Sequence, residues 1–347
     1  MGRALGAAGL VLSVALLLGV GSQGARESSD DGGVAAVVVY HRHGDRGAID
    51  LMPNDQVNNM MWPDPPGSLT TRGMRQLELL GGAFRERYLL GRPYRVARAN
   101  YSRGEVWSRS TDYDRTIESA ASFLRGLFPG GSSAPGGLSD GSPVVPVRTL
   151  PRESDVVLLG FKGLACPRIL ELRAEALASA EWQRVERGSE RLRAQLALIS
   201  GYEPDTLTAA NISVVADTLF CERQHGMRWL PGFNDSLFEQ ANELLDRGLR
   251  PQYVYTPEMR RLAAGPMLAE LLARLRQASE GREGREGPAP PRIVHYSAHD
   301  TTLVTLLGAL GVFDDVNPSC ELKRSWQGCL LNEARARTRH VTSRHVA

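Results

Sequence analysis

Between Val37 and Gly47 the chain reads VVVYHRHGDRG. An apolar, β-branched run ends abruptly in two histidines, two arginines, an aspartate and two glycines. Val34 to Tyr40 is apolar without alternation and bounded by turn residues, which reads as a strand buried on both faces, as in a parallel sheet. A buried strand that ends on so many cations needs an anion at its tip. Two further junctions share this design. WSRSTDYDRT follows a short strand at Glu105–Ser108 and leads into a helix from Asp112 to Phe128. YSAHDTTL follows a strand at Arg292–Ser297 and leads into a helix from Thr301 to Leu310. In sheets of this kind ligands gather at the carboxyl ends of the strands.

The intervening segments read as helices. Thr70 suits an N-cap, with Met74, Leu77, Phe84 and Tyr88 near one helical face. Arg168–Leu198, Asp205–Glu222 and Met259–Ala278 also carry helical patterns, and no strand signal falls between residues 150 and 245. The expected fold is α/β: a mainly parallel sheet flanked by helices, built from 33–149 and 246–322, with a helical cap at 150–245. Residues 1–25 read as a secretory signal peptide with Arg3 in its n-region, and 323–347 as a basic tail.

Composition narrows the function. A formal net charge of +2 gives no long-range field favouring nucleic acid or an anionic membrane, so anion recognition must be local. No segment after the signal region is apolar enough to span a bilayer. Asn100, Asn211 and Asn234 head N-glycosylation tripeptides. Cys166, Cys221, Cys320 and Cys329 are too dispersed for a zinc site and suit disulfides in an oxidising compartment. His41 and His43 lack the further ligands a metal would need, so neither metal nor cofactor is expected.

Arg42 and Arg46 bracket His43, and a guanidinium fork matches phosphate oxygens. Arg109, placed after a short strand and ahead of a helix, is a cation at the positive end of a dipole. It is unfavourable there unless an anion joins it. Asp112 and Asp114 can complement that dipole while pairing with Arg115. Asp300 is well suited to cap the last helix, with His299 beside it.

Taken together, Arg42-His43-Gly44-Asp45-Arg46, RSTDYDRT from Arg109 and YSAHDTT from Tyr296 resemble the histidine acid phosphatases, most closely the prostatic, lysosomal and testicular type. The similarity runs from about Val34 to Leu322. It implies that His43 is a nucleophile, that Arg42, Arg46, Arg109 and His299 hold the phosphoryl oxygens, and that Asp300 protonates the leaving oxygen. The implied reaction is hydrolysis of phosphate monoesters at acid pH through a phosphohistidine, without a metal. Inositol or lipid phosphates are alternative substrates. The resemblance also implies a homodimer, a Cys221–Cys320 disulfide, and a secreted or lysosomal destination. Two departures stand out. Ala48 occupies a position where the family often has proline, and after Leu322 the chain continues into KRSWQGC and a basic ending unlike the family. Such an ending leaves open an inactive secreted binding glycoprotein.

Overall fold

A computed structural model describes residues 13–19, 34–63, 65–91, 94–130, 141–160, 166–279 and 289–313. Cys320, Cys329 and the tail at 323–347 lie outside these residues, so the Cys221–Cys320 pairing does too. A five-stranded sheet holds β1 (Ser13–Gly19), β2 (Val34–Arg42), β3 (Val106–Ser110), β4 (Val147–Arg148) and β5 (Ile293–Ala298) in the order β1-β2-β5-β3-β4. The last four are parallel, as expected, and β1 alone runs antiparallel, from Ser13 opposite His41 to Gly19 opposite Val34. This edge strand falls inside the stretch read as an export signal. A short apolar run suits the open edge of a buried strand as well as it suits an h-region.

Strand alternation divides the core between two helical layers. Val37 and Val39 of β2 and Ile293 of β5 join Leu77 of α2 (Thr71–Arg85) and Phe123 of α3 (Asp114–Leu127). Val38, Tyr40, Val294 and Tyr296 point the other way, onto Met267 and Leu271 of α9 (Pro257–Ser279) and Leu303 and Leu306 of α10 (Asp300–Ala309). A separate apolar core lies within the helical region, where Trp182 of α5 (Ala180–Gly188), Leu196 of α6 (Glu190–Ser200), Leu219 of α7 (Ser213–Gln224) and Phe238 of α8 (Asp235–Leu249) meet. Among the described residues, every regular element between β4 and β5 is helical.

Several boundaries differ from the sequence expectations, and two of them matter. β3 continues through Arg109 to Ser110, and α3 does not begin until Asp114. Thr111 lies ahead of the helix and shares a hydrogen bond with Thr116 Oγ1. Asp300 is the first helical residue of α10 rather than its cap, a place taken by His299. Thr70 does cap α2, accepting from the Gly73 N–H at 3.1 Å, whereas Met74 is exposed rather than facing the core. No helix among the described residues is long and apolar enough to cross a membrane.

Candidate active site

Register brings the three junctions together. Arg42 pairs with Ala298 across β2 and β5, and Ser110 pairs with Ser297 across β3 and β5. The residues that follow these positions therefore emerge at one sheet edge. There the His43 N–H donates to the Ala298 carbonyl at 3.0 Å, and the Thr111 N–H donates to the Ser297 carbonyl at 3.1 Å.

The loop after β2 is held tightly. A Cβ on Gly44 would lie 2.4 Å from the Gly73 carbonyl oxygen, and one on Gly73 would lie 2.2 Å from the Asp45 carbonyl oxygen. Only paired glycines allow the loop to sit this close to the first turn of α2. The Gly44 N–H donates to Ser119 Oγ at 3.0 Å, and the Asp45 N–H donates to Gln76 Oε1 at 2.8 Å. The Asp45 carboxylate accepts from Thr70 Oγ1 and meets His225 Nε2 at 2.7 Å, tying the C-terminal end of α7 to this loop.

His43 is buried, and its Nδ1 lies 2.8 Å from the Gly44 carbonyl. A carbonyl can only accept, so the proton resides on Nδ1 and the Nε2 lone pair is available. Burial pushes the imidazole well below its ordinary pKa, and the positive charges of Arg42, Arg46, His299 and Arg115 push it the same way. The His299 ring stands edge-on to His43 at 5.6 Å, and its Nε2 is 3.0 Å from Thr111 Oγ1. The Asp300 carboxylate lies 3.2 Å from Arg42 Nε and is half exposed.

The arginines sort unexpectedly. Arg46 is gripped bidentately by Asp217 at 2.9 and 3.0 Å. Arg109 is not placed as expected. It lies within β3 on the α9 face, level with Tyr296, and its buried guanidinium pairs with fully buried Asp155 and with Glu270. Its charge is spent inside the protein. The helix argument applied to Arg109 belongs instead to Arg115, which occupies the first turn of α3. Among the described residues no carboxylate pairs with Arg115, not even Asp112 or Asp114, and its Nε is buried without a partner. Burial, then the neighbouring Arg46, lowers its pKa to about 10, a strained state for a guanidinium that a bound anion would relieve. The clue to Arg115 was available in sequence once α3 was started two residues later.

Beneath this edge sits a second histidine pair. His41 Nδ1 lies 2.9 Å from the Arg42 carbonyl, His41 Nε2 lies 2.6 Å from His295 Nε2, and His295 Nδ1 lies 2.8 Å from Ser108 Oγ. The arrangement has one consistent proton order: His41 donates from Nδ1, His295 from Nε2 and Ser108 from Oγ. No group of three or more His, Cys, Asp or Glu side chains among the described residues is arranged to hold a metal ion.

Residues 34–336 match the model of the histidine phosphatase superfamily (branch 2). Curated relatives include human testicular acid phosphatase, 35% identical over 83% of this chain and 66% of that protein. Human lysosomal acid phosphatase is 34% identical over 80% of this chain and 63% of its own length. The chain thus spans somewhat less than two thirds of these two relatives. Human prostatic acid phosphatase is 33% identical over 82% of the chain and 72% of its own length. Among solved structures, the apo phytase of Hafnia alvei superposes with a TM-score of 0.55 at 17% identity, over 80% of this chain and 75% of that one. The phytase of Citrobacter braakii gives 0.55 at 18% identity, over 79% and 74%. These two similarities concern the fold alone. The chain belongs to the histidine phosphatase superfamily.

Proposed function

We propose that this chain hydrolyses phosphate monoesters at acid pH through a phosphohistidine at His43. The observation that carries the reading is a neutral imidazole with Nε2 unblocked, acted on by Arg42, Arg46 and an Arg115 that no carboxylate pairs among the described residues. In the first step the Nε2 lone pair attacks phosphorus and the ester P–O bond breaks. The leaving oxygen keeps the electron pair and takes a proton from Asp300. In the second step the Asp300 carboxylate draws a proton from water, whose oxygen attacks phosphorus. The P–N bond breaks, returning neutral His43 and releasing inorganic phosphate. The guanidiniums offset the charge that would repel the nucleophile and follow it into the transition state.

The pH dependence follows from opposed demands. Asp300 must carry a proton to act as an acid, which low pH supplies. His43 must stay unprotonated, and its lowered pKa keeps it so at pH values where an ordinary histidine is a cation. The same reading takes the chain through the secretory pathway, with glycans on Asn100, Asn211 and Asn234, all of which are exposed, and with the Cys221–Cys320 disulfide.

Purified protein assayed with nitrophenyl phosphate at pH about 5, between ordinary carboxyl and imidazole pKa values, tests the reading. Turnover by the natural chain and its loss in His43→Ala are expected. Folded protein that leaves the ester intact, or an equally active His43→Ala, contradicts it.

A further inference from the structure

Arg152 has no role in the scheme above, yet its guanidinium is held in place. It stacks over the Tyr113 ring, with the central carbon 3.9 Å from the ring centroid, and its Nε donates to the Asp112 carbonyl. Arg115 lies 4.8 Å from the same centroid, and the Tyr113 and His299 rings meet edge to face with centroids 5.0 Å apart. Tyr113 therefore stands between the proposed phosphoryl pocket and a second guanidinium. Arg152 is exposed, and among the described residues no carboxylate pairs with it, although Glu153 is its sequence neighbour and Asp112 and Asp114 flank Tyr113. Exposed arginines are ordinarily mobile. This one is fixed by ring stacking and a backbone bond, and among the described residues no hydrogen bond engages its two terminal nitrogens.

The turn that carries it is anchored as well. Arg152–Ser154 is a single 3-10 turn, and the next residue is fully buried Asp155. Asp155 pairs with Arg109 and accepts from the Leu158 N–H at 3.0 Å. Arg109, excluded from the site at the sheet edge, thus pins the turn that presents Arg152.

We propose that Arg152, braced by Tyr113 and the Arg109–Asp155 pair, is a specificity residue for phosphate monoesters whose leaving group carries a second anionic group. This rests on the phosphatase reading above. The reacting phosphoryl group occupies the inner cations, and the second anion, a phosphate or a carboxylate, meets Arg152 one ring's breadth away. A charge-assisted contact at so exposed a position is partly screened by salt, so its effect is about tenfold in affinity.

The test compares matched esters on the whole protein: fructose 1,6-bisphosphate against fructose 6-phosphate, and 3-phosphoglycerate against glycerol 3-phosphate, with nitrophenyl phosphate as reference. The natural chain should favour the doubly anionic member of at least one pair by about tenfold in kcat/KM. Preference in the first pair alone assigns a second phosphate, and preference in both assigns any anion. Arg152→Gln should erase most of that preference through KM rather than kcat, and Arg152→Lys should restore part of it. If nitrophenyl phosphate is turned over but neither pair is discriminated, or if Arg152→Gln discriminates as well as the natural chain, this inference is overturned while the phosphatase reading stands. If no ester is turned over, the phosphatase reading fails, and this one with it.

Discussion

Two pairs of histidines lie almost on top of one another along β2 and β5, and they have opposite fates. His41 and His295 sit inside the sheet. They satisfy each other and Ser108, with the His295 ring stacked on Phe123 at 4.5 Å. His43 and His299 stand just beyond the strand ends, among guanidiniums. The arginines repeat the contrast, for Arg109 is consumed by Asp155 and Glu270, while among the described residues no carboxylate pairs with Arg115. Residue type does not separate structural from chemical groups here. Position relative to the last hydrogen-bonded pair of the strand does.

The sharpest way to break this contrast is to exchange the losses. Arg115→Ala should lower kcat/KM for nitrophenyl phosphate by about 10³-fold with little change in thermal stability, because it removes transition-state charge stabilisation and, within the protein, a ring contact with Tyr113 rather than a carboxylate pair. Steady-state kinetics and a melting curve read both effects. Arg109→Met should do the reverse. It strands the buried Asp155 carboxylate without its cation, while Glu270 keeps Tyr296 and Arg274. The loss costs about 3–5 kcal/mol of stability, read by denaturant unfolding, and nitrophenyl phosphate turnover by the folded fraction falls less than tenfold. A larger catalytic loss for Arg109→Met than for Arg115→Ala would overturn the assignment.

Most of the architecture was legible in the chain, because parallel strands covered on both faces leave continuous apolar runs and the helices between them keep their own period. The three junctions, and the roles proposed for His43, Arg42 and Asp300, could be read from VVVYHRHGDRG, RSTDYDRT and YSAHDTT. The choice of arginine could not. Each step along a strand turns a side chain to the opposite face, and extending β3 from Ser108 to Ser110 carried Arg109 from the edge into the interior. Its partners gave no local warning, since Asp155 is 46 residues away and Glu270 is 161. His41 likewise looked like a metal ligand lacking companions because its partner, His295, lies 254 residues further on.

A smaller effect should come from the interior histidines. Burial lowers the His41 pKa to about 4 and holds His295 well below its ordinary value. From pH ~6.5 down to about 4 the unfolded chain binds protons there that the folded chain refuses, so folding stability declines as pH falls. Replacing the pair, as His41→Phe with His295→Leu, should flatten the dependence of Tm on pH across that window. An unchanged slope would mean that the pair does not stay neutral.

The smallest expected effect has the opposite sign. Glu222 of α7 is fully buried beside Asp55, and burial first, then the charge of Asp55, pushes its pKa up to about 8. Its contribution is fully present in acid and is lost as pH rises from the ordinary carboxyl range through about 8. Glu222→Gln should therefore raise Tm at pH 7.5 and leave it nearly unchanged at pH 4.5. Equal shifts at both pH values would show a carboxyl that titrates normally.

The central claim is that the unblocked nitrogen of His43 takes the phosphoryl group. Rapid quenching of the purified protein with ³²P-labelled ester, followed by peptide mapping, tests it most directly. The expected result is up to one acid-labile, alkali-stable label per chain, on the peptide containing His43 and absent from His43→Ala. Efficient ester hydrolysis with no trapped label, or with label on any other side chain, would contradict the account.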